Sequence, residues 1–377
     1  MNNSYLHIFH DEKFTNTIVR QFLLTNVRNQ KFIVLYHKNA PPVYELDKEL
    51  PIEKVFIGSQ DYNKFISELK QYYAVFIHYL CNDKLDIIDK APEKLKIIWM
   101  CWGQDIHKLV ISNSYLPKTR KLLFNKNKSE FFWRYSLWLR KLIFPYTKKE
   151  RIIKKIQYCS PVIEEDLVLI NKNLNLNLKY IPFHYGWLED ILGKQINKEC
   201  NSNNIFIGNS STFASNHLDT LYILKSFNVG TRKIIVPLSY GDKKYGDYID
   251  QIGKKLFRNN FISLRNYIPS NEYSEIISSC SIVIFNHIRQ QALGNILISL
   301  WLGSKVYMNE KSLLFKNLKK KNLYIYSIQK DFNVNNKDAL NKISKEQHIH
   351  NKKILLLEYG KNKVIKLTKN IFNIINE

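Results

Sequence analysis

The sequence predicts an α/β protein built of two Rossmann-like domains facing across a cleft. Three observations carry this. Short apolar runs alternate with stretches of helical periodicity in two successive blocks. Those runs look buried and lack alternation, as parallel strands covered on both faces require. A polar, aperiodic stretch at 193–204 (Gly-Lys-Gln-Ile-Asn-Lys-Glu-Cys-Asn-Ser-Asn-Asn) separates the blocks as a linker. The chain has 377 residues, 45% of them hydrophobic, enough for two cores. The predicted domains are 1–195 and 204–350, followed by a C-terminal helix within 351–377.

The first block opens with the strand Tyr5-Leu-His-Ile-Phe9. A helix at 15–27 follows, with Ile18, Val19 and Phe22 at helical spacing. Lys31-Phe-Ile-Val-Leu-Tyr36, Val55-Phe-Ile57, Ala74-Val-Phe-Ile-His78 and Lys96-Ile-Ile-Trp-Met100 read as further strands, and Ile156-Gln-Tyr-Cys-Ser160 as the last. The second block is more regular. Strands at Asn204-Ile-Phe-Ile-Gly208, Lys233-Ile-Ile-Val236, Phe261-Ile-Ser-Leu264, Ser281-Ile-Val-Ile-Phe285 and Lys305-Val-Tyr-Met308 alternate with helices at 215–227, 245–257, 271–279 and 289–302. One long helix is predicted over 354–375.

Composition narrows the function. Lys plus Arg number 57 against 33 Asp plus Glu, a net charge of +24. Such an excess suits an anionic partner: nucleic acid, anionic lipid or a phosphorylated substrate. The Asn, Lys and Ile bias of an AT-rich genome is the plain alternative. Thirteen of the basic residues and only two acidic ones, Glu130 and Glu150, fall in 117–158, interleaved with aromatics. Lys121, Phe131, Trp133, Arg134, Trp138, Arg140 and Lys141 are the candidates for a membrane-facing surface, rings at headgroup depth and cations toward anionic lipid. A solvated helix face and single-strand nucleic-acid binding are the rival readings; no nucleic acid is expected. No apolar run is long enough to cross a bilayer and no secretory signal is visible, so the expected place is cytoplasmic. The five cysteines form no CxxC pair and imply neither zinc site nor disulfide framework.

In open α/β sheets ligands sit beyond the carboxyl ends of the strands, so the residues just after each strand are the candidates. Gly208-Asn209-Ser210-Ser211-Thr212 is a small polar turn that lets backbone N–H groups approach a phosphate. A plain strand-to-helix turn is the competing reading. Arg289, Gln290 and Gln291, with Gly294 after them, follow the strand ending at Phe285; Arg offers a forked donor to a diphosphate at a helix start. Ser239, Tyr240, Arg265 and Tyr267 follow two more strands and can meet base, ribose or phosphate. In the first block Trp99-Met-Cys-Trp-Gly-Gln-Asp-Ile-His107 delivers Asp105 and His107. A hydroxyl that must lose a proton needs a base. Asp105 is the preferred candidate, with Asp11, His10 and His78 as alternatives. No Asp-x-Asp pair occurs, so no metal and no other cofactor is expected, and Arg with helix dipoles would hold a leaving diphosphate.

The motifs Trp102-Gly-Gln-Asp105, Gly208-Asn-Ser-Ser211 with Asn216-His217, Val236-Pro-Leu-Ser-Tyr-Gly241 and Arg289-Gln-Gln-Ala-Leu-Gly294 resemble glycosyltransferase family 56, the TDP-N-acetylfucosamine:lipid II N-acetylfucosaminyltransferases. The region 117–192 matches in character only. The resemblance implies the GT-B fold, with the acceptor on the N-terminal domain and the nucleotide sugar on the C-terminal one. It implies transfer of a 4-amino-4,6-dideoxyhexose such as N-acetylfucosamine from a dTDP-sugar donor. The acceptor would be a polyprenyl-diphosphate-linked saccharide at the cytoplasmic face of the bacterial inner membrane, in enterobacterial common antigen synthesis. The chain departs from the family in its charge and in its Gly-Asn-Ser-Ser-Thr stretch. Another nucleotide sugar, serving O-antigen or capsule, is the alternative; a non-catalytic basic nucleic-acid-binding protein is the rival of a different class.

Overall fold

A computed structural model describes residues 3–39, 42–109, 114–126 and 148–377. The elements in chain order are β1 (Tyr5–His10), α1 (Thr15–Leu23), β2 (Gln30–Tyr36), β3 (Ile52–Phe56), α2 (Gln60–Glu68), β4 (Ala74–His78), α3 (Asn82–Lys90), β5 (Lys96–Met100), α4 (Gln104–Leu109), α5 (Pro117–Lys126), α6 (Lys148–Ile153), β6 (Tyr158–Ser160), α7 (Glu165–Leu174), β7 (Lys179–Tyr180), α8 (Leu188–Leu192), β8 (Asn204–Ile207), α9 (His217–Leu224), β9 (Ile234–Pro237), α10 (Lys243–Phe257), β10 (Phe261–Leu264), α11 (Ser270–Ser278), β11 (Cys280–Phe285), α12 (Leu293–Trp301), β12 (Lys305–Met308), α13 (Leu313–Lys320), β13 (Tyr326–Ser327), α14 (Lys345–Tyr359) and α15 (Lys361–Asn376).

They form two compact units. The first holds a parallel sheet ordered β3-β2-β1-β4-β5-β6-β7. β1 pairs with β2 from Tyr5↔Gln30 and with β4 from Tyr5↔Ala74. Successive side chains point to opposite faces, and both faces are buried. Leu6, Ile8, Ile33, Leu35, Ile77 and Trp99 pack on one side. Phe9, Phe32, Val34, Phe76 and Met100 pack on the other, against Ile18, Val19 and Phe22 of α1 and Ile371, Phe372 and Ile375 of α15. This explains the unbroken apolar runs.

The second unit holds a parallel sheet ordered β10-β9-β8-β11-β12-β13. In both sheets the first strand lies beside the one that follows it three strands later, β4 against β1 and β11 against β8. The carboxyl ends of those pairs are therefore the switch points at which α/β proteins bind ligands.

Three boundaries differ from the sequence reading. The single helix predicted over 354–375 is two, α14 and α15, separated at Gly360, whose backbone is extended (φ −67°, ψ 157°). A side chain there would strike the Leu356 carbonyl. α14 folds with the second unit and α15 with the first. The stretch predicted as a linker packs on the second unit: Trp301 Nε1 donates to the Ile196 carbonyl at 3.0 Å, and Gln195 is buried. Finally, α5 also folds with the second unit. Asp219 on α9 accepts the Lys118 and Thr119 N–H groups at 2.9 and 3.0 Å, so a carboxylate sits at the positive end of α5.

Candidate active site

At the second sheet's switch point the loops after β8 and β11 are tied together. Gly208 follows β8 with φ +70°, a conformation costly for any residue with a Cβ, and a Cβ there would strike Nε2 of His217. Gln291 Nε2 donates to Asn209 Oδ1 at 2.7 Å and reaches Thr212 Oγ1 at 3.4 Å. Asn209 Nδ2 donates to the Tyr240 hydroxyl at 2.9 Å. Ser211 N–H donates to the Tyr240 carbonyl at 2.8 Å, and the Ser211 carbonyl accepts from Asp242 N at 2.9 Å. Ser210 and Ser211 are buried in this turn.

Arg289 Nε donates to Gln291 Oε1 at 3.0 Å, its one hydrogen bond among the described residues. Burial pulls the guanidinium's pKa down, and the groups that act on its charge from outside are the phenols of Tyr115 and Tyr240. No carboxylate is among them. A largely desolvated cation with an open fork is an anion receptor. The helix predicted from Arg289 begins four residues later, at Leu293, because Ala292 takes a left-handed conformation (φ +63°). Arg289, Gln290 and Gln291 thus lie in the loop feeding α12 rather than in its first turn. A Cβ on Gly294 would meet nothing within 4 Å.

Below the loops, Asn216 (φ +50°) donates to the Asn286 carbonyl at 2.9 Å and accepts from Leu116 N at 2.9 Å. Asn309 Nδ2 donates to Asn286 Oδ1 at 2.7 Å. His217 and His287 are fully buried, neither ring nitrogen has a hydrogen-bond partner among the described residues, and burial pushes each pKa down to about 3. Arg265 is committed elsewhere: it pairs with Asp247 and lies over Gly246. Ser239 is exposed, and Tyr240 and Tyr267 are 59% and 84% exposed.

In the first unit, Asp105 is 1% exposed and accepts four hydrogen bonds. Leu80 N (3.0 Å) and Trp99 Nε1 (2.8 Å) meet Oδ2; Trp102 N (3.0 Å) and Ile106 N (3.1 Å) meet Oδ1. Burial raises its pKa against the pull of those donors. These bonds fill the carboxylate, so Asp105 anchors the turn from β5 into α4. Asp11 accepts from Val43 N, and from Tyr44 N at 3.2 Å. His78 faces the core, with Nε2 3.2 Å from His7 Nδ1. The side chain of His107 lies outside the described residues.

His10 is different. It ends β1, and its Nε2 lies 3.1 Å from Asp83 Oδ2 on α3. Burial and the Lys84 charge pull its pKa down to about 4 against the raising effect of Asp83. The ring is neutral at ordinary pH, with an orienting carboxylate: the arrangement of a general base. His37, after β2, also places Nε2 3.1 Å from Asp83 Oδ2. Lys84 is buried, donates to the carbonyls of His78 and Tyr79, and is pulled down to about 8 by burial. Sequence reasoning missed Asp83 and His37. Both follow strand ends, so the rule that singled out His10 reaches them as well.

Of the predicted membrane-facing residues, Lys121 lies on α5 and is exposed. Phe131, Trp133, Arg134, Trp138, Arg140 and Lys141 lie outside the described residues. Among the described residues no helix is long and apolar enough to cross a membrane.

Two parallel-sheet Rossmann-like units define a glycosyltransferase of the GT-B fold. The fold is shared with a Rickettsia africae glycosyltransferase (TM-score 0.60, 12% identity, 100% of this chain and 99% of that one). It is shared too with Anabaena HepE solved with UDP and glucose (0.62, 9%, 99% of each chain) and with the N-terminal domain of Candida albicans trehalose-6-phosphate phosphatase (0.64, 10%, 100% and 97%). The family model for 4-alpha-L-fucosyltransferases, glycosyl transferase group 56, matches residues 170–360, just over half of the chain. The chain belongs to that family, as its motifs implied. It is a hexosyltransferase that uses a nucleotide-sugar donor and a glycosyl acceptor.

Proposed function

We propose that the enzyme moves a 4-amino-4,6-dideoxyhexose such as N-acetylfucosamine from a dTDP-sugar to a polyprenyl-diphosphate-linked saccharide. The pathway is a bacterial surface polysaccharide such as enterobacterial common antigen. The observation that carries the donor half is Arg289: a half-buried cation with no carboxylate acting on it among the described residues, fixed by Gln291 to the loop after β8. The donor diphosphate sits against Arg289, the N–H groups of Asn209 and Ser210, and the start of α12, with no divalent metal. The HepE structure, which carries UDP and glucose on the same fold, supports a nucleotide donor.

The acceptor half falls to the first unit. His10 takes the proton of the acceptor hydroxyl on Nδ1 while Asp83 holds Nε2–H; the hydroxyl oxygen bonds to C1 of the sugar as the C1–O bond to the diphosphate breaks. His10 replaces Asp105 as the base because Asp105 has no open lone pair. The segment 117–158 rests on anionic lipid at the cytoplasmic face of the inner membrane; its thirteen cations among aromatic rings support this.

The test is a panel of dTDP-, UDP- and GDP-sugars with Arg289→Ala and Arg289→Lys. Arg289→Ala should lower kcat/KM by about 10²–10³ with the preferred donor. Lys should restore little, because it lacks the fork. Full activity in Arg289→Ala removes the assigned diphosphate site. A preference for UDP- or GDP-sugars replaces the dTDP reading with the O-antigen or capsule one.

A further inference from the structure

We propose that His10, His37 and Asp83 form a divalent transition-metal site of the kind that takes Zn2+, and that its occupation switches transfer off. The inhibitory half rests on the reading of His10 as base; the site itself stands on geometry.

The three residues come from separate elements: the end of β1, the residue after β2 and the second residue of α3. Their ligand atoms lie within 4.8 Å of one another, and both Nε2 atoms stand 3.1 Å from one carboxylate oxygen. Zn–N and Zn–O bonds of ordinary length in a tetrahedron put ligand atoms about 3.4 Å apart. The two histidine–Asp83 distances are a few tenths of an ångström from that spacing, and the His37 side chain, 55% exposed, is free to adjust. Cys81 Sγ lies 3.6 Å from His10 Nε2 but falls outside this group of three, which leaves the fourth tetrahedral position to solvent.

Charge selects the metal. Lys84 faces the cluster from α3 and offsets the charge of Asp83. The site therefore holds a cation through two imidazoles rather than through net negative charge, which favours Zn2+, Co2+ or Ni2+ over Mg2+ or Ca2+.

Occupation and catalysis exclude each other through the imidazole tautomer. A carboxylate only accepts, so without metal both rings carry hydrogen on Nε2, and His10 keeps its lone pair on Nδ1. A metal on Nε2 uses the lone pair there, and the ring hydrogen moves to Nδ1 with no net proton released. His10 then has no lone pair for an acceptor hydroxyl.

The experiment titrates the EDTA-stripped full chain with ZnCl2 by calorimetry and with CoCl2 by visible absorption, and assays transfer in parallel. The expected result is one metal per chain, with the intense visible bands of tetrahedral cobalt. The transfer rate should fall with the same midpoint as binding. His37→Ala should raise both midpoints about tenfold or more while leaving the metal-free rate unchanged. No saturable binding to the wild type, or unchanged binding in His37→Ala, overturns the site. Binding that leaves the rate untouched overturns the inhibition. If His10→Ala keeps the full metal-free rate while zinc still binds the wild type, the base assignment falls and the metal site stands.

Discussion

Asp105→Asn separates a turn anchor from a catalytic base. Each carboxylate oxygen accepts two N–H groups, Oδ2 from Leu80 and Trp99, Oδ1 from Trp102 and Ile106. Asparagine keeps one oxygen and turns an NH2 toward the other pair. Two buried donors then lose their acceptor, at about 1–3 kcal/mol each. Some of this returns, because burial disfavours the carboxylate charge that is removed. The net loss is about 2–5 kcal/mol, read as a lower urea midpoint for the first unit by tryptophan fluorescence. Assayed at a temperature where the variant is folded, transfer should stay within about tenfold of the wild type, well short of the loss a missing base produces. Wild-type stability combined with a rate loss of about 10²–10⁴ would refute the reasoning and restore Asp105 as the base.

His10→Ala should lower kcat by about 10²–10⁴ with little change in the donor KM, and single-turnover kinetics would show the loss in the chemical step. Gly208→Ala forces a Cβ onto His217 and into a left-handed backbone, at about 1–3 kcal/mol; the donor KM should rise, and a KM equal to the wild type would separate this loop from the donor. Asp166 is buried, and burial, then Glu165 and Asp105, push its pKa up to about 7. The folded chain therefore holds that proton more tightly than the unfolded chain, so the stability it contributes is full below pH ~4 and lost as pH rises from ~4 to ~7. Asp166→Asn should flatten this fall and be more stable than the wild type at pH 8 by up to about 4 kcal/mol in urea unfolding; an unchanged pH slope would contradict the shift.

The strands were legible because both faces of each sheet are covered, so Phe32-Ile-Val-Leu-Tyr36 and Ile282-Val-Ile-Phe285 read as unbroken apolar runs. The break at Gly360 was not, because apolar periodicity continues on both sides of it while the two halves serve different cores. Arg289 was picked out correctly as following a strand, but the left-handed Ala292 that delays the helix has no signature in side-chain chemistry. Asp105 stood out by motif, yet a carboxylate in a strand-to-helix turn looks the same in sequence whether it anchors or reacts. His10 and Asp83 lie 73 residues apart, and only the β1–β4 pairing brings them together.

The helix at 361–376 closes the aromatic face of the first sheet, with Phe372 edge-on to Tyr5 at 4.7 Å and Thr368 taking a hydrogen bond from Gln21 at 2.7 Å. During synthesis α1 covers part of that face, and the rest stays uncovered until the whole second unit has been made. The amino-terminal lobe is thus among the first parts translated and the last to be sealed. Cutting the gene between the two blocks would yield an amino-terminal fragment with part of its aromatic face bare, prone to aggregate unless the distal helix is supplied in trans.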